Sequence, residues 1–122
     1  TYSGHPLACA AGLATLEVYR EEDLFSRAAE LAPYFQEAVH SLADCKNVID
    51  VRNLGLMGAI ELESIAGKPT VRAMEAFQKA FERGLLVRTT GDTIALSPPL
   101  IVERKHIDFI AETVRDVIET VH

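Results

Sequence analysis

The first patterned segment of the chain is apolar on all sides. Residues 6–20 have the sequence PLACAAGLATLEVYR, in which Pro6 suits the first position of a helix and Gly12 is its one weak position. The first turns carry only small or apolar side chains and leave no polar face. We predict a helix over residues 6–20. Other parts of a protein must cover its apolar surface on several sides, and this chain alone can hardly do so.

Three later segments carry apolar residues at the three- and four-residue steps of an amphipathic helix. Asp23 is predicted to cap the second helix and Thr70 the third, Gly84 is predicted to end the third, and the last is expected over residues 103–121. The apolar positions assigned to these helices are, in order, Leu24, Ala28, Leu31, Phe35, Ala38 or Val39 and Leu42; Val71, Met74, Phe77 and Phe81; and Ile107, Ile110, Val114, Val117 and Val121.

Short β-rich runs lie between these helices. The four predicted strands are residues 48–52, 56–62, 85–88 and 93–97. They are predicted to pair as two hairpins, the first with its turn around Asn53 and Gly55 and the second across residues 89–92. Gly55 and Gly58 are candidates for a positive φ or a bulge. The order helix, helix, hairpin, helix, hairpin, helix predicts the α+β class, an antiparallel sheet of two hairpins covered by helices on one side.

Composition limits the partners and the cellular setting. The 122 residues suffice for one domain, and 18 acidic against 12 basic residues without a basic run argue against nucleic acid. No apolar stretch approaches the roughly 18 to 20 residues of a membrane span, and no leader opens the chain, so we expect a cytoplasmic protein without a membrane partner. Cys9 and Cys45 have no C-x-x-C spacing and are predicted to be small buried side chains.

No complete catalytic motif occurs in the sequence. It has no phosphate loop, no G-x-S-x-G turn and no H-E-x-x-H pair. The four histidines have no metal-ligand spacing and are expected at the surface or at helix ends, and the four lysines are interpreted as solvated charges. These residues are His5, His40, His106 and His122, and Lys46, Lys68, Lys79 and Lys105. The residues alone therefore predict no metal site and no self-contained active site.

Three segments carry a resemblance to a known family. Residues 1–14, TYSGHPLACAAGLA, place a Thr-Tyr pair before small residues, His, Pro and an Ala-rich helix. Residues 51–62, VRNLGLMGAIEL, follow the pattern V-R-x-x-G-L-x-x-x-I-E-L, and residues 84–100, GLLVRTTGDTIALSPPL, lead from a helix-ending Gly through two strands to Pro-Pro. In this order, and over essentially the whole chain, they resemble the class III pyridoxal-phosphate-dependent aminotransferases.

The resemblance implies a place within a larger protein. Residues 1–122 would be the C-terminal portion of a fold type I aminotransferase, with a connecting segment and long helix at 1–20 and the α+β small domain at 21–122. The family's cofactor-binding domain lies upstream, with the Schiff-base lysine and the other residues that hold the cofactor ring. The resemblance therefore assigns no catalytic residue to this chain and implies that the fragment alone is inactive. Because the chain opens on Thr1 without an initiator Met, we expect that an upstream part has been removed.

The resemblance also implies a reaction and two site residues. The family moves an amino group to a keto acid through pyridoxal phosphate, in a homodimer or a dimer of dimers. Thr1 matches the threonine that binds the cofactor phosphate of the neighbouring subunit, and Arg88 matches the arginine that pairs with the substrate carboxylate. The histidine at position 5 resembles the residue found there in the ω-amino acid and amine–pyruvate branch of the family. The resemblance therefore implies pyruvate as the acceptor of the amino group and an ω-amino acid or amine as its donor.

Two other readings of the chain remain open at this point. Two hairpins with packing helices can form a free-standing ligand-binding or regulatory module without catalysis. A purely structural dimerisation element is the other reading, and it gives Arg88 no role. The first helix separates the self-sufficient module from the fragment, because such a module must bury that helix in its own core.

Overall fold

The structure of the chain is a computed structural model that describes all 122 residues. Its elements are α1 (Pro6–Glu21), α2 (Leu24–His40), β1 (Val48–Leu54), β2 (Met57–Leu62), α3 (Val71–Glu82), β3 (Arg88–Thr90), β4 (Thr93–Leu96) and α4 (Arg104–Ile118). The predicted order of helices and hairpins is confirmed. None of the helices combines the length and the apolarity that crossing a bilayer requires.

The four strands form one antiparallel sheet in the order β1-β2-β4-β3. Ile60 of β2 lies directly opposite Ile94 of β4, and both are buried on the face that the helices cover. Helix α2 packs on β1 and β2, α3 packs on β3 and β4, and α4 packs against both of these helices. The hydrophobic core lies between that face of the sheet and α2, α3 and α4. The α+β class with an antiparallel sheet of two hairpins is therefore confirmed.

The strand boundaries differ from the predicted ones. Strand β1 continues through Asn53 to Leu54, and the turn is the pair Gly55 and Leu56, with Gly55 at φ +56° as expected. Gly58 is neither at positive φ nor at a bulge, since the register of the hairpin shifts between Val48 and Asp50 instead. A Cβ on Gly58 would lie 3.2 Å from the Phe35 ring, so the position is needed for close packing of α2 on the sheet.

The second hairpin is shorter than predicted. Strand β3 begins at Arg88, where the predicted strand ends, and the turn is the pair Gly91 and Asp92 rather than four residues. Gly91 has φ +60° and Asp92 does not have a positive φ, as in a type II′ turn. Pro98 and Pro99 follow β4 and carry no N–H group, so they could not extend the ladder further.

The two predicted N-caps are wrong in their chemistry. Asp23 and Thr70 occupy the N-cap positions of α2 and α3, but both have left-handed backbones and neither side chain accepts a backbone N–H of the first turn. The Asp23 carboxylate accepts the Ser26 hydroxyl instead, at 2.8 Å. An N-cap side chain reaches the first-turn N–H groups from an extended backbone, which a positive φ does not provide. At α4 the backbone N–H of Glu103 donates instead to His106 Nδ1 at 3.2 Å, so this histidine has the helix-end role expected of it.

The predicted apolar faces of α2 and α4 are confirmed, whereas that of α3 is wrong. Val71, Met74 and Phe81 of α3 are exposed, and Phe77 is only half-buried. The face that meets the sheet consists of small side chains, which allow a close approach of helix to strands: Ala73, Ala76 and Ala80. Arg72 lies beside them, buried, and donates hydrogen bonds to the carbonyl oxygens of Glu63 and His122.

Helix α1 lies outside the core, as its all-round apolar pattern predicts. It buries no residue, and its main packing is against α2, where the Tyr19 and Phe25 rings meet edge to face at 5.2 Å. Its large side chains Leu7 and Leu13 are exposed. Cys9 is exposed for the same reason, which corrects its predicted burial, while Cys45 is buried as predicted. Burial raises the pKa of the Cys45 thiol above its ordinary value.

Candidate functional site

The largest cleft of the chain, about 650 Å³, lies beside the start of β3. Its walls come from the β3–β4 hairpin, the segments on either side of it, and single residues of α3 and α4. The apolar residues that contribute most of these walls include Phe77, Leu85, Val87, Pro98 and Ile110. Arg88 is the only charged residue in the lining, so the cleft is an apolar surface with a single cation at its side.

The helix-to-strand connection before β3 determines where Arg88 lies. At the end of α3 the N–H of Gly84 donates to the Phe81 carbonyl and the N–H of Leu85 donates to the Ala80 carbonyl, both at 2.9 Å. Gly84 has φ +83°, and this bond pattern is the Schellman motif, as its predicted helix-ending role requires. Leu85 and Val87 are then buried, which fixes the chain so that Arg88 enters the sheet opposite Ala95.

Arg88 lies on the face of the sheet that the helices do not cover. Arg52 pairs with Ala59, Ala59 with Ala95, and Ala95 with Arg88, so these four residues form one row across all four strands. Paired residues of neighbouring strands share a face. The row therefore places two arginines at opposite edges of this face with two alanines between them.

The two arginines of this row have different surroundings. Arg52 forms ion pairs with Asp50 and with Glu61, the latter at 2.8 Å. Hydrogen bonds to Asp50 and then to Glu61 hold the pKa of Arg52 above its ordinary value. Arg88 is exposed and makes neither a hydrogen bond nor an ion pair. Its guanidinium is therefore available to a ligand.

The other arginines of residues 21–122 are all engaged with the protein. Arg27, Arg72 and Arg115 donate to backbone carbonyls, Arg83 pairs with Asp116 at 3.6 Å, and Arg104 lies 4.5 Å from the centre of the Tyr34 ring. Arg88 is thus the one arginine of this part that has neither an acceptor nor an aromatic partner. A planar guanidinium beside an apolar cleft suits a carboxylate, which it binds through two parallel hydrogen bonds.

Thr1 lies away from this cleft. It is exposed, its hydroxyl makes no hydrogen bond within the chain, and no residue of α1 or of the segment before it lines the cleft. The structure therefore does not bring Thr1 and Arg88 together within one chain. His5, which follows Gly4 at φ +72°, stands directly before α1 and is also exposed.

The lysines and histidines do not form a second site. No lysine lines the cleft, and Lys79 and Lys105 are paired with Glu75 and Glu103. The ion pair with Lys79 is the main cause that lowers the pKa of Glu75, and Lys105 likewise lowers that of Glu103. No group of three or more His, Cys, Asp or Glu side chains is placed to hold a metal ion.

The sequence placed Asp92 in the turn expected to set the position of Arg88, but it did not predict the bonding partners of Asp92. Its carboxylate accepts the N–H of Thr70 at 2.8 Å and its carbonyl accepts the N–H of Leu62 at 2.9 Å, so the turn of the β3–β4 hairpin is bound to two other elements. The only sequence signal is the Gly-Asp pair between two β-rich runs, which indicates a turn but not these partners.

Comparison with known proteins identifies the relatives of this arrangement. The sequence model of the class III aminotransferases matches residues 1–118. An ω-aminotransferase of Caulobacter vibrioides is 66% identical over 97% of this chain and 27% of its own length. A β-alanine–pyruvate aminotransferase of Pseudomonas aeruginosa is 43% identical over 97% of the chain and 26% of its own length.

Solved structures agree with these relatives in fold. The amine transaminase of an uncultivated Pseudomonas species, solved in its PLP-bound form, matches 97% of this chain and 28% of its own with a TM-score of 0.85 and 34% identity. A thermostable ω-transaminase of Pseudomonas jessenii matches 97% of this chain and 28% of its own with a TM-score of 0.86 and 28% identity. The chain spans about a quarter of the length of these relatives. It belongs to the class III aminotransferases.

Proposed function

We propose that this chain is the C-terminal portion of an aminotransferase that transfers an amino group from an ω-amino acid or amine to pyruvate through pyridoxal phosphate. Class III aminotransferases are in general PLP-dependent, and similar proteins include enzymes named for β-alanine and pyruvate and for ω-amino acids and pyruvate. The observation that carries the proposal is Arg88, an unpaired guanidinium at the side of the largest cleft.

Arg88 is assigned the carboxylate of the keto acid. Its planar fork bonds both carboxylate oxygens at once, and the lining of the cleft holds no second charge that would compete for the carboxylate. Pyruvate offers one carboxylate beside a small methyl ketone, so a single cation suffices to orient it. Pairing with Arg88 thereby holds the carboxylate end of pyruvate at the side of the cleft, away from the keto carbon that reacts.

The residues present fit only one side of the cofactor. Thr1 is exposed with an unbonded hydroxyl, which suits a phosphate oxygen, and no lysine lies in the cleft to hold the aldehyde. When bound, PLP supplies the electron sink for amino transfer. We assign Thr1 to the phosphate of the neighbouring subunit in a homodimer, and we expect this chain alone to be inactive because its lysines are surface charges.

The exposure of α1 favours the fragment over a free-standing module. A self-sufficient module would bury a helix as apolar as α1, yet α1 buries no residue and packs mainly against α2. We therefore divide the chain into a connecting segment and helix at 1–20 and an α+β small domain at 21–122. In this division α1 is covered by residues upstream of Thr1 or by the second subunit.

The proposal is tested by removing the charge from the acceptor. The full-length protein, meaning this chain joined to the upstream residues of its reading frame, is assayed with one amine donor and with either pyruvate or its methyl ester. Loss of the carboxylate leaves Arg88 unpaired, so kcat/KM should fall on the order of 30- to 1,000-fold for the ester. The methyl ester is also larger than pyruvate. The effect of size alone is measured by comparing a neutral ketone such as acetone with a larger ketone of the same series. Equal use of pyruvate and its ester contradicts the proposal.

A further inference from the structure

The β3–β4 hairpin is bound to α3 at both of its ends. At the near end, Gly84 stops α3 and the bond from Leu85 to the Ala80 carbonyl leads the chain directly toward Arg88. At the far end, the Asp92 carboxylate accepts the N–H of Thr70, the residue before the first turn of α3, at 2.8 Å. Helix α3, strand β3, the turn and the Asp92–Thr70 hydrogen bond therefore form a closed ring. The Asp92–Thr70 bond is the only link in this ring that a side chain makes.

The Thr70 end of this ring is a costly conformation. Thr70 has φ +69°, a left-handed backbone that a β-branched residue rarely adopts. Such strain persists only where surrounding contacts determine the backbone. The Thr70 side chain makes no capping bond to α3, so the hydrogen bond to Asp92 is the contact that holds its N–H in this direction. The carboxylate also lies near the positive end of the helix dipole.

Beyond the buried Leu85 and Val87, which lead the chain into β3, the hairpin offers few other restraints on Arg88. Strand β3 has three residues and is an edge strand, so Arg88 has a backbone neighbour on one side only. Thr90 opposite Thr93 is the last pair before the turn, and the exposed Arg88 side chain makes no bond within the chain. A change at the turn is therefore transmitted along two residues of β3 to Arg88.

We propose that Asp92 is a positioning residue, which holds the tip of the β3–β4 hairpin (Thr90–Thr93) on the start of α3 and thereby sets the direction of Arg88. The Asp92 carbonyl bond to the N–H of Leu62 adds a second anchor, at the end of β2. Asp92 itself touches no substrate. The assignment rests on the proposed function, because the direction of Arg88 is measured through its effect on the reaction with pyruvate.

The test uses three variants of the full-length protein. Asp92→Ala removes the acceptor of the Thr70 N–H, Asp92→Asn keeps an acceptor oxygen in the same place, and Asp44→Ala removes an exposed carboxylate that has no bonded partner. Amide hydrogen exchange of residues 88–93 and of Thr70 reports the hairpin directly. Single-turnover reactions with an amine and with pyruvate report its consequence for the substrate.

Asp92→Ala should speed exchange at Thr70 and in the hairpin tip and raise the KM for pyruvate about 10- to 100-fold, as a misplacement near 1 Å does. The amine half-reaction, Asp92→Asn and Asp44→Ala should stay close to the parent protein. Unchanged exchange in Asp92→Ala overturns the proposal, and so does faster exchange with an unchanged KM in a protein whose Arg88→Ala variant does lose pyruvate. If Arg88→Ala leaves pyruvate unaffected, the proposed function fails, and the Asp92 assignment fails with it as a positioning role.

Discussion

The two edges of the sheet carry the same residue in opposite states. Arg52 on β1 and Arg88 on β3 lie in one row on one face, separated by Ala59 and Ala95. Arg52 is held by two carboxylates, whereas Arg88 has none within reach. The same residue type is thus neutralised at one edge and left unpaired at the other, according to the carboxylates placed near it.

The packing of the helices also differs between the first and the second hairpin. Beneath β2, the Phe35 ring and Val39 of α2 pack closely against Gly58. A Cβ on Gly58 would lie only 3.2 to 3.3 Å from them, so there is no room for a side chain at this position. Next to β3 and β4, α3 presents alanines and the cleft of about 650 Å³ remains open at the sheet edge. The packing of α2 on β2 is therefore close at Gly58, whereas the β3 edge borders an open cleft beside an unpaired arginine.

The contrast between the two arginines should disappear if Arg88 is given a neighbouring carboxylate, as Arg52 has. Ala95→Asp places a carboxylate on the residue paired with Arg88, at the 4.5 to 5.5 Å Cβ separation typical of cross-strand pairs. The new ion pair should compete with pyruvate and lower its kcat/KM on the order of 30- to 1,000-fold, about as much as loss of the guanidinium. The matched control is Ala59→Asp, which adds the same charge beside the already neutralised Arg52. A similar loss in both variants would refute the contrast.

The difference in packing is sharpened by Gly58→Ala. The added methyl group would meet Phe35 and Val39 at 3.2 to 3.3 Å, closer than relaxed contacts allow. The free energy of unfolding should fall by about 1 to 3 kcal/mol, the usual cost of overpacking a core. Asp44→Ala, at an exposed position without a bonded partner, serves as the control and should not destabilise the protein. Chemical denaturation measures both, and a Gly58→Ala variant of unchanged stability would show that α2 moves aside easily.

The smallest effect is expected when Arg52 is freed. Asp50→Asn together with Glu61→Gln removes both partners of a surface arginine, and exposed ion pairs contribute little to stability. The denaturation midpoint and the pyruvate kinetics should both stay at the parent values, because Arg52 lies at the far edge from the cleft. A marked loss of pyruvate activity would place Arg52 in the substrate site and contradict its structural role.

Sequence patterns were sufficient where one face of an element is much more apolar than the other. The order of elements, the buried faces of α2 and α4, and the helix end at Gly84 follow directly from spacing and from glycine. The face of α3 does not, because close packing on β3 and β4 selects Ala73, Ala76 and Ala80 over the larger Met74 and Phe81. Hydrophobicity alone favours the larger residues.

The candidate site could be predicted only in part. Arg88 was found from its motif, but its freedom from partners depends on the register that sets Ala95, not an acid, opposite it. The role of Asp92 depends on a bond to Thr70, 22 residues away in sequence, and no local pattern predicts such a bond. Long-range pairing of this kind is a property of the fold rather than of any segment.

The most direct measurement of the central claim is the pair of half-reactions in the full-length Arg88→Ala variant. Single-turnover titrations with an amine that lacks a carboxylate and with pyruvate separate a substrate role from a folding role. We predict that the pyruvate half-reaction loses on the order of 30- to 1,000-fold in kcat/KM, that Arg88→Lys recovers part of it, and that the amine half-reaction and the Arg52→Ala control stay at parent rates. Equal losses in both half-reactions of Arg88→Ala would contradict Arg88 as the carboxylate anchor.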